Sequence, residues 1–160
     1  GLALLKREWQ RACALLLDPR AEDSEEIRHA RSQWRDNPAG ALQAMPGRLQ
    51  AERSVLRHLL AHPDDYQGAV MAINRELRTM YLHAVQSWLW NLMASHRLRL
   101  GRQTLSDDLI KDGEEVKTAE NCNAASLFDV VLPLPGHAVS IPAWASSLLE
   151  EQGIDLAIFA

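Results

Sequence analysis

The chain has 160 residues, of which 47% are hydrophobic and 24% charged, and its formal net charge is −4. This length and composition predict one globular domain over residues 1–160, with a core of ordinary size. The net charge argues against a strongly basic nucleic-acid module, although an uneven surface can still carry a basic patch. The two cysteines give no disulfide framework and no metal-ligand spacing, which fits an intracellular protein. No apolar run approaches the ~20 residues of a membrane span, so no membrane partner is expected.

Helical periodicity dominates the first hundred residues. Apolar residues at helical spacing predict a helix over Leu2–Leu17, which Pro19 ends. Asp23 and Glu26 resemble a capping box, and Asn37–Pro38 combines an N-cap with a proline at the first helical position. Further helices are expected over Arg48–Ala61, from Asp64 or Asp65 onward, and over Arg75–Leu100, with Gly101 as a left-handed cap.

The pattern changes from helix to strand after Gly101. Apolar residues around Asp112–Gly113 predict a short hairpin, and the run Phe128–Leu132 is β-prone. A Leu-Pro-Leu-Pro-Gly segment then turns the chain, and His137–Ile141 is expected to be a further strand. A final helix is expected over Trp144–Gln152. Helices followed by strands predict an α+β fold: a predominantly helical first part with a central long helix, then a small β element and a C-terminal helix.

The Arg75–Leu100 helix carries a predicted packing stripe. Its members recur at spacings of three or four residues: Leu77, Tyr81, Ala84, Trp88 and Leu92. Trp88 lies on this stripe and is expected to be a core anchor. Trp90 projects about 200° away from it at ~100° per residue, so it is expected to need a second contact surface.

Polar side chains accompany the stripe and are not needed for helix formation. Arg75, Arg78 and Arg97 have two readings: solvated helix charges, or guanidinium groups that hold RNA phosphates. Gln86, Ser87 and Asn91 have two readings as well: hydrogen bonds within the fold, or direct contact with RNA. His58 and His62, at positions i and i+4, have the spacing of two metal ligands on a helix, but no third ligand is evident.

Residues 75–91 match the order Arg-x-Leu-Arg-x-Met-Tyr-x-His-Ala-x-Gln-Ser-x-x-Trp-Asn at every fixed position. This segment resembles the signature helix of the TruD family of tRNA pseudouridine synthases, in particular its eukaryotic branch. Residues 129–136, Asp-Val-Val-Leu-Pro-Leu-Pro-Gly, resemble a second landmark of the family. The resemblance covers most of the chain, which corresponds to the TRUD insertion domain of a larger enzyme.

The resemblance implies that the parent protein is an enzyme that isomerises uridine to pseudouridine in tRNA or other structured RNA, without a cofactor. An aspartate attacks the target nucleotide in this family. The Gly-x-Lys-Asp-type motif that carries it does not occur here, so the nucleophile and the catalytic domain are expected outside this chain. The chain itself would form one wall of the RNA-binding cleft. The candidate RNA-binding residues are Arg75, Arg78, Gln86, Trp90, Asn91 and Arg97, and the candidate structural residues are Tyr81, Trp88, Pro133, Pro135 and Gly136.

Two alternatives stay open at this point. The chain could be a non-catalytic RNA-binding or ribonucleoprotein assembly module that keeps only the insertion domain. Without the resemblance, it reads as a helical protein-interaction domain. RNA binding at low salt separates the RNA-binding readings from the second alternative. The Leu-Pro-Leu-Pro-Gly segment is expected to be a rigid structural turn rather than a ligand loop, in which Gly136 permits a conformation that other residues resist. It is expected either to pack against the Arg75–Leu100 helix or to mark the domain edge that faces the cleft.

Overall fold

The computed structural model describes residues 1–101, 105–112, 115–121 and 130–159. The chain divides into two compact units, Gly1–Leu82 and His83–Ala160, and the boundary between them falls inside one long helix. Helices come first, followed by a two-stranded sheet and a last helix, so the predicted α+β fold is confirmed. Among the described residues, no helix combines the length and apolar character that crossing a bilayer requires.

The first unit is entirely helical in its described elements. In chain order these are α1 (Leu2–Leu5), α2 (Trp9–Leu17), α3 (Glu25–Ser32), α4 (Pro38–Ala44), α5 (Gln50–Ala61), α6 (Tyr66–Met71) and the start of α7 (Arg75–Arg99). The prediction of one helix over Leu2–Leu17 is wrong. Arg7 has a φ of 55°, in the left-handed region, which ends α1 and lets α2 begin in a new direction.

Side-chain caps set three of these helix starts. Ser24, and not the predicted Asp23, is the N-cap of α3: its hydroxyl accepts a hydrogen bond from the Ile27 N–H at 3.4 Å. Asn37 caps α4 as predicted, accepting from the Gly40 N–H at 3.0 Å. Asp65 caps α6 in the same way. The caps satisfy N–H groups that have no partner within the helix.

One apolar cluster forms the core of the first unit. The cluster includes Trp34, and half-buried Leu77 from α7 packs against the cluster. Cys13 is fully buried in this cluster, as expected of a small apolar side chain. Burial raises the pKa of its thiol to about 11, so the thiolate that would react is not populated near neutral pH.

A buried ion network lies beside this core. The Arg31 guanidinium pairs with the Glu52 carboxylate at 2.9 Å and with the Asp23 carboxylate at 3.3 Å, and all three side chains are almost fully buried. Arg31 also donates to the Leu16 carbonyl oxygen. Because each buried charge has an opposite charge beside it, the network ties α3, α5 and the end of α2 together without an isolated ion.

The second unit contains the rest of α7, a hairpin and a last helix. Strands β1 (Leu109–Asp112) and β2 (Glu115–Thr118) pair antiparallel, with Leu109 opposite Thr118 and Asp112 opposite Glu115, which confirms the predicted hairpin. Val130 adds an isolated bridge to Ile110, while Phe128 and Asp129 lie outside the described residues. The last α-helix is α8 (Ala143–Glu151), and a short 3-10 helix follows at Leu156–Phe159.

Two positive-φ glycines end helices in this unit, and one predicted strand is absent. Gly101 follows α7 with a φ of 102°, as predicted, and Gly153 follows α8 with a φ of 65°. The prediction of a strand over His137–Ile141 is wrong. Its first two residues form a turn, and Ala138 has a φ of 56°, which is incompatible with an extended strand.

Candidate nucleic-acid interface

The buried side of α7 in the second unit is a row of every fourth residue. Val85, Leu89, Met93 and Arg97 are all buried. The predicted stripe is correct at Leu77, which packs on the first unit's core, and at half-buried Tyr81. It is also correct at half-buried Leu92, which packs against a cluster that includes Met93, but it is wrong at Ala84 and Trp88. Burial raises the pKa of the Tyr81 hydroxyl, which keeps it neutral.

Trp88 is not a core residue. Its relative exposure is 44%, and Ala84, one turn earlier on the predicted stripe, is exposed too. The buried row starts at Val85, one residue further on, and one residue rotates a helix by about 100°. Trp88 consequently lies on the outward face of α7, and its indole N–H has no hydrogen-bond acceptor among the described residues.

Two signature side chains of α7 hold the Leu-Pro-Leu-Pro-Gly segment. The Gln86 side-chain amide donates to the Pro135 carbonyl oxygen at 2.9 Å. The Trp90 indole N–H donates to the Leu132 carbonyl oxygen at 3.0 Å. Gln86 and Trp90 are four residues apart and so lie on one side of the helix. The prediction that this segment packs against the long helix is confirmed.

The held segment presents one apolar side chain to solvent. Pro135 and Gly136 are buried and Pro133 is half-buried, whereas Leu134 is 52% exposed. The expectation for Gly136 is wrong, because its backbone is not in the left-handed region. A Cβ atom at Gly136 would meet the Gln86 amide nitrogen at 3.6 Å, an ordinary contact distance.

Arg97 is buried, which argues against its prediction as an RNA-binding residue. It is only 2% exposed, and its guanidinium forms a charge-assisted pair with Asp108: Nη2 lies 2.6 Å from Oδ2, and Nε lies 2.9 Å from Oδ1. The physical reason is its place in the buried row of α7. A cation there is stable only because a carboxylate is buried with it.

Asp108 was not predicted from the sequence, although several hydrogen-bond donors of the second unit bond to its carboxylate. Asp108 is fully buried and also accepts from the Leu105 N–H at 2.8 Å and from the Trp144 indole N–H at 3.3 Å. The Trp144 ring stacks on His96, with centroids 5.8 Å apart. The available signal was an Asp-Asp pair at positions 107–108, close in sequence to a basic helix end.

Of the remaining candidates, Arg75 and Asn91 have exposed side chains with no partner among the described residues. Arg78 is half-buried. Its Nη1 contacts the Met71 sulfur, and its Nε is buried without a hydrogen-bond partner in the described part of the chain. Sulfur is a weak acceptor. In the described structure no carboxylate neutralises the guanidinium of Arg78.

The histidine pair is used structurally. His58 Nε2 lies 2.8 Å from the Asp65 carboxylate that caps α6, and the His58 and His62 rings are 5.0 Å apart. The pKa of Asp65 is lowered, first by the hydrogen bond from the Gly68 N–H and then by His58. Over the described ranges, no three His, Cys, Asp or Glu side chains are grouped to hold a metal ion.

Comparison with protein families decides the relationship. The model of the family described as tRNA pseudouridine synthase D (TruD) matches residues 1–160. The chain belongs to the TruD family. The resemblance first read from residues 75–91 is thereby confirmed.

Similar proteins come from eukaryotes, bacteria and archaea. The chain is 30% identical to multisubstrate pseudouridine synthase 7 of Schizosaccharomyces pombe, over 89% of this chain and 26% of that protein. It is 35% identical to tRNA pseudouridine synthase D of Geobacter sulfurreducens, over 68% of this chain and 27% of that protein. A crystal structure from Methanosarcina mazei, assigned to tRNA pseudouridine synthase D (TruD), superposes with a TM-score of 0.77 at 26% identity, covering 98% of this chain and 42% of that one. The chain therefore spans less than half the length of these TruD relatives.

Proposed function

We propose that the protein containing this chain isomerises uridine to pseudouridine in tRNA or another structured RNA, without a cofactor. Membership of the TruD family carries the proposal, since the relatives named above are pseudouridine synthases. The chain acts as the TRUD insertion domain and forms one wall of the RNA-binding cleft. The nucleophilic aspartate comes from a catalytic domain outside residues 1–160. The relatives, of which this chain covers 26–42%, are long enough to hold such a domain.

Arg78 is the residue on which we base the RNA contact in the first unit. Its guanidinium has a buried, unpartnered Nε and a sulfur neighbour in place of a carboxylate. A phosphate would provide the anionic acceptor that the described residues do not. Arg75, three residues earlier, has an exposed side chain and would lie beside it on the helix.

The Arg78 contact is tested in the intact protein with a tRNA transcript. Arg78→Ala should weaken binding and lower the slope of log affinity against log salt by about one, because one phosphate contact releases about one counterion. Arg28→Ala is the matched control, since that exposed arginine donates to the Ala21 and Asp23 carbonyls of its own unit. An Arg78 variant with the wild-type affinity and salt slope would remove Arg78 from the RNA contact.

The location of the nucleophile has its own test. Purified residues 1–160 should form no pseudouridine in a tRNA transcript that the intact protein modifies, because removal of a covalent nucleophile closes that route. The assay is tritium release from 5-tritiated uridine in the transcript. Turnover by the 160-residue chain alone would show that the nucleophile lies within it.

A further inference from the structure

We infer that Trp88, with Asn91 beside it, binds one unpaired nucleobase of the RNA substrate by stacking, without a phosphate contact. This inference rests on the proposed function and names the chemistry by which the second unit contacts RNA. Of the other RNA-binding candidates in this unit, Arg97 is buried and the side-chain amide of Gln86 donates to Pro135. The indole N–H of Trp90 donates to Leu132, although the residue is 37% exposed.

The ring of Trp88 is accessible to a ligand. Side chains of a helix lean toward its N-terminus, so the indole of Trp88 lies over the preceding turn. The residue there is Ala84, which is small and exposed. A tryptophan with 44% exposure over an alanine leaves a flat ring face open to a planar ligand. Its N–H, which has no acceptor among the described residues, stays available at the edge.

Polar side chains lie beside the Trp88 ring on α7. Asn91 is three residues further along, about 5–6 Å away between Cβ atoms, and its amide leans back toward the indole. Ser87 and Ser95 are exposed on the same side of α7. An amide offers both donors and an acceptor, which is the complement of a nucleobase edge. A stacking ring flanked by an amide is how single-stranded bases are held by proteins.

The excess of acidic residues in the second unit favours contact with a base over contact with the phosphate backbone. Residues 83–160 contain five basic and ten acidic residues, whereas residues 1–82 contain twelve basic and eleven acidic ones. Phosphate contacts are thus disfavoured in the second unit, but stacking on a neutral base is not. A protein partner is less well matched, because interface anchors pack in an apolar centre, and the exposed neighbours of Trp88 are alanine, serine and asparagine.

The test measures RNA affinity of the intact protein at several salt concentrations, with a tRNA transcript as the probe. Trp88→Ala should weaken binding by roughly 5- to 100-fold, the range for loss of one stacked base, with the salt slope unchanged. Trp88→Phe, which keeps an aromatic face, should recover much of the affinity. Leu98→Ala is the control, because Leu98 is another exposed apolar residue of α7, at 72%. It should bind RNA like the wild type.

A second arm identifies the base. Transcripts with single abasic substitutions in their loops should reveal one position at which wild-type affinity falls and Trp88→Ala affinity does not change further. Wild-type affinity in Trp88→Ala overturns the inference, and so does a shallower salt slope, which would mean a phosphate contact. Unchanged RNA binding with a lowered melting temperature of the intact protein would place a protein surface against Trp88, and also overturns it.

The inference and the proposed function fail in different ways. If the intact wild-type protein makes no pseudouridine in any tRNA transcript, yet Trp88→Ala weakens RNA binding at constant salt slope, then the proposed activity is wrong and the base contact stands. If pseudouridine forms at equal rates with wild type and Trp88→Ala at subsaturating RNA, the activity stands and the base contact is wrong.

Discussion

The two units bury ionic groups in opposite arrangements. In the first unit a cation is central: Arg31 is shared by the Glu52 and Asp23 carboxylates. In the second unit an anion is central: Asp108 accepts hydrogen bonds from Arg97, Leu105 and Trp144. Loss of one carboxylate therefore has different consequences. Arg31 would keep a counter-charge, whereas the donors around Asp108 would lose their shared acceptor.

The apolar clusters join different elements. In the first unit one cluster gathers buried side chains from α2 to α6 and the turn after it. Among the described residues of the second unit, a cluster of Met93, Ala145 and Leu148 joins α7 to α8. The Trp144 side chain packs against that cluster and donates to buried Asp108, so the polar and apolar contacts of this unit share a residue.

The largest expected effect comes from Asp108→Ala. It leaves Arg97 buried without this carboxylate, and breaking a buried pair by removing one partner costs about 3–5 kcal/mol. Urea unfolding of the chain should show this loss, and native-state hydrogen exchange should place it in α8 rather than α5. Glu150→Ala, at an exposed position of α8, is the control. A cost below about 1 kcal/mol would mean that water reaches Arg97.

Glu52→Ala should cost less, although Glu52 is also buried. Arg31 keeps the Asp23 carboxylate at 3.3 Å and the carbonyl of Leu16. The loss of one hydrogen bond to a charged group is worth roughly 1.5–3 kcal/mol. The Glu52→Ala, Asp23→Ala double variant should lose more than the two single variants together, because the second removal strands the cation. Additive losses would contradict the sharing of Arg31 by two carboxylates.

Trp90→Phe should have a smaller effect again. The change keeps an aromatic ring and removes the N–H that bonds to Leu132, at a cost of about 0.5–1.5 kcal/mol. Gln86→Met, which removes the donor to Pro135, should cost a similar amount. Urea unfolding measures both variants, with Asn91→Ala as a control that removes no hydrogen bond in the described structure. A Trp90→Phe protein as stable as the wild type would mean that water replaces the lost donor.

The sequence predicted the elements whose signals are local. Asn37–Pro38 and Gly101 mark helix ends through the backbone conformations they permit, and both act where predicted. The hairpin was predicted from the apolar residues on either side of Asp112–Gly113, and the two strands pair as expected. The stiffness of two prolines predicted a rigid Leu-Pro-Leu-Pro-Gly turn, and contact with α7 was one of the two placements expected for it. Its hydrogen bonds from Gln86 and Trp90 were not.

The prediction of the buried face of α7 was partly wrong, because two rows of residues at helical spacing could each have formed it. The true buried row, Val85, Leu89, Met93 and Arg97, ends on a charge, whereas the predicted row ended on two large apolar residues, Trp88 and Leu92. A charge at the end of a row argues against its burial unless a partner is known. That partner is Asp108, eleven residues away from Arg97 in sequence and outside α7, so no helical periodicity could reveal it. Arg97, predicted to bind RNA, is buried, and Trp88, predicted to be a core anchor, is exposed. The set of candidate RNA-binding residues therefore changes at these two positions.

The smallest expected effect is that of Trp88→Ala on the stability of the chain. A buried tryptophan replaced by alanine costs about 3–5 kcal/mol, and Trp34→Ala in the first unit, where Trp34 is 7% exposed, should show that cost. Trp88 is 44% exposed on the outward face of α7, so its replacement should change the free energy of unfolding by no more than about 1 kcal/mol. Alanine also has the higher helix propensity, which offsets part of the lost contact. Urea unfolding of both variants makes the comparison directly. A loss near that of Trp34→Ala would place Trp88 in a buried contact, whereas a near-neutral result means that any effect of Trp88→Ala on RNA binding comes from the ring itself and not from a weakened fold.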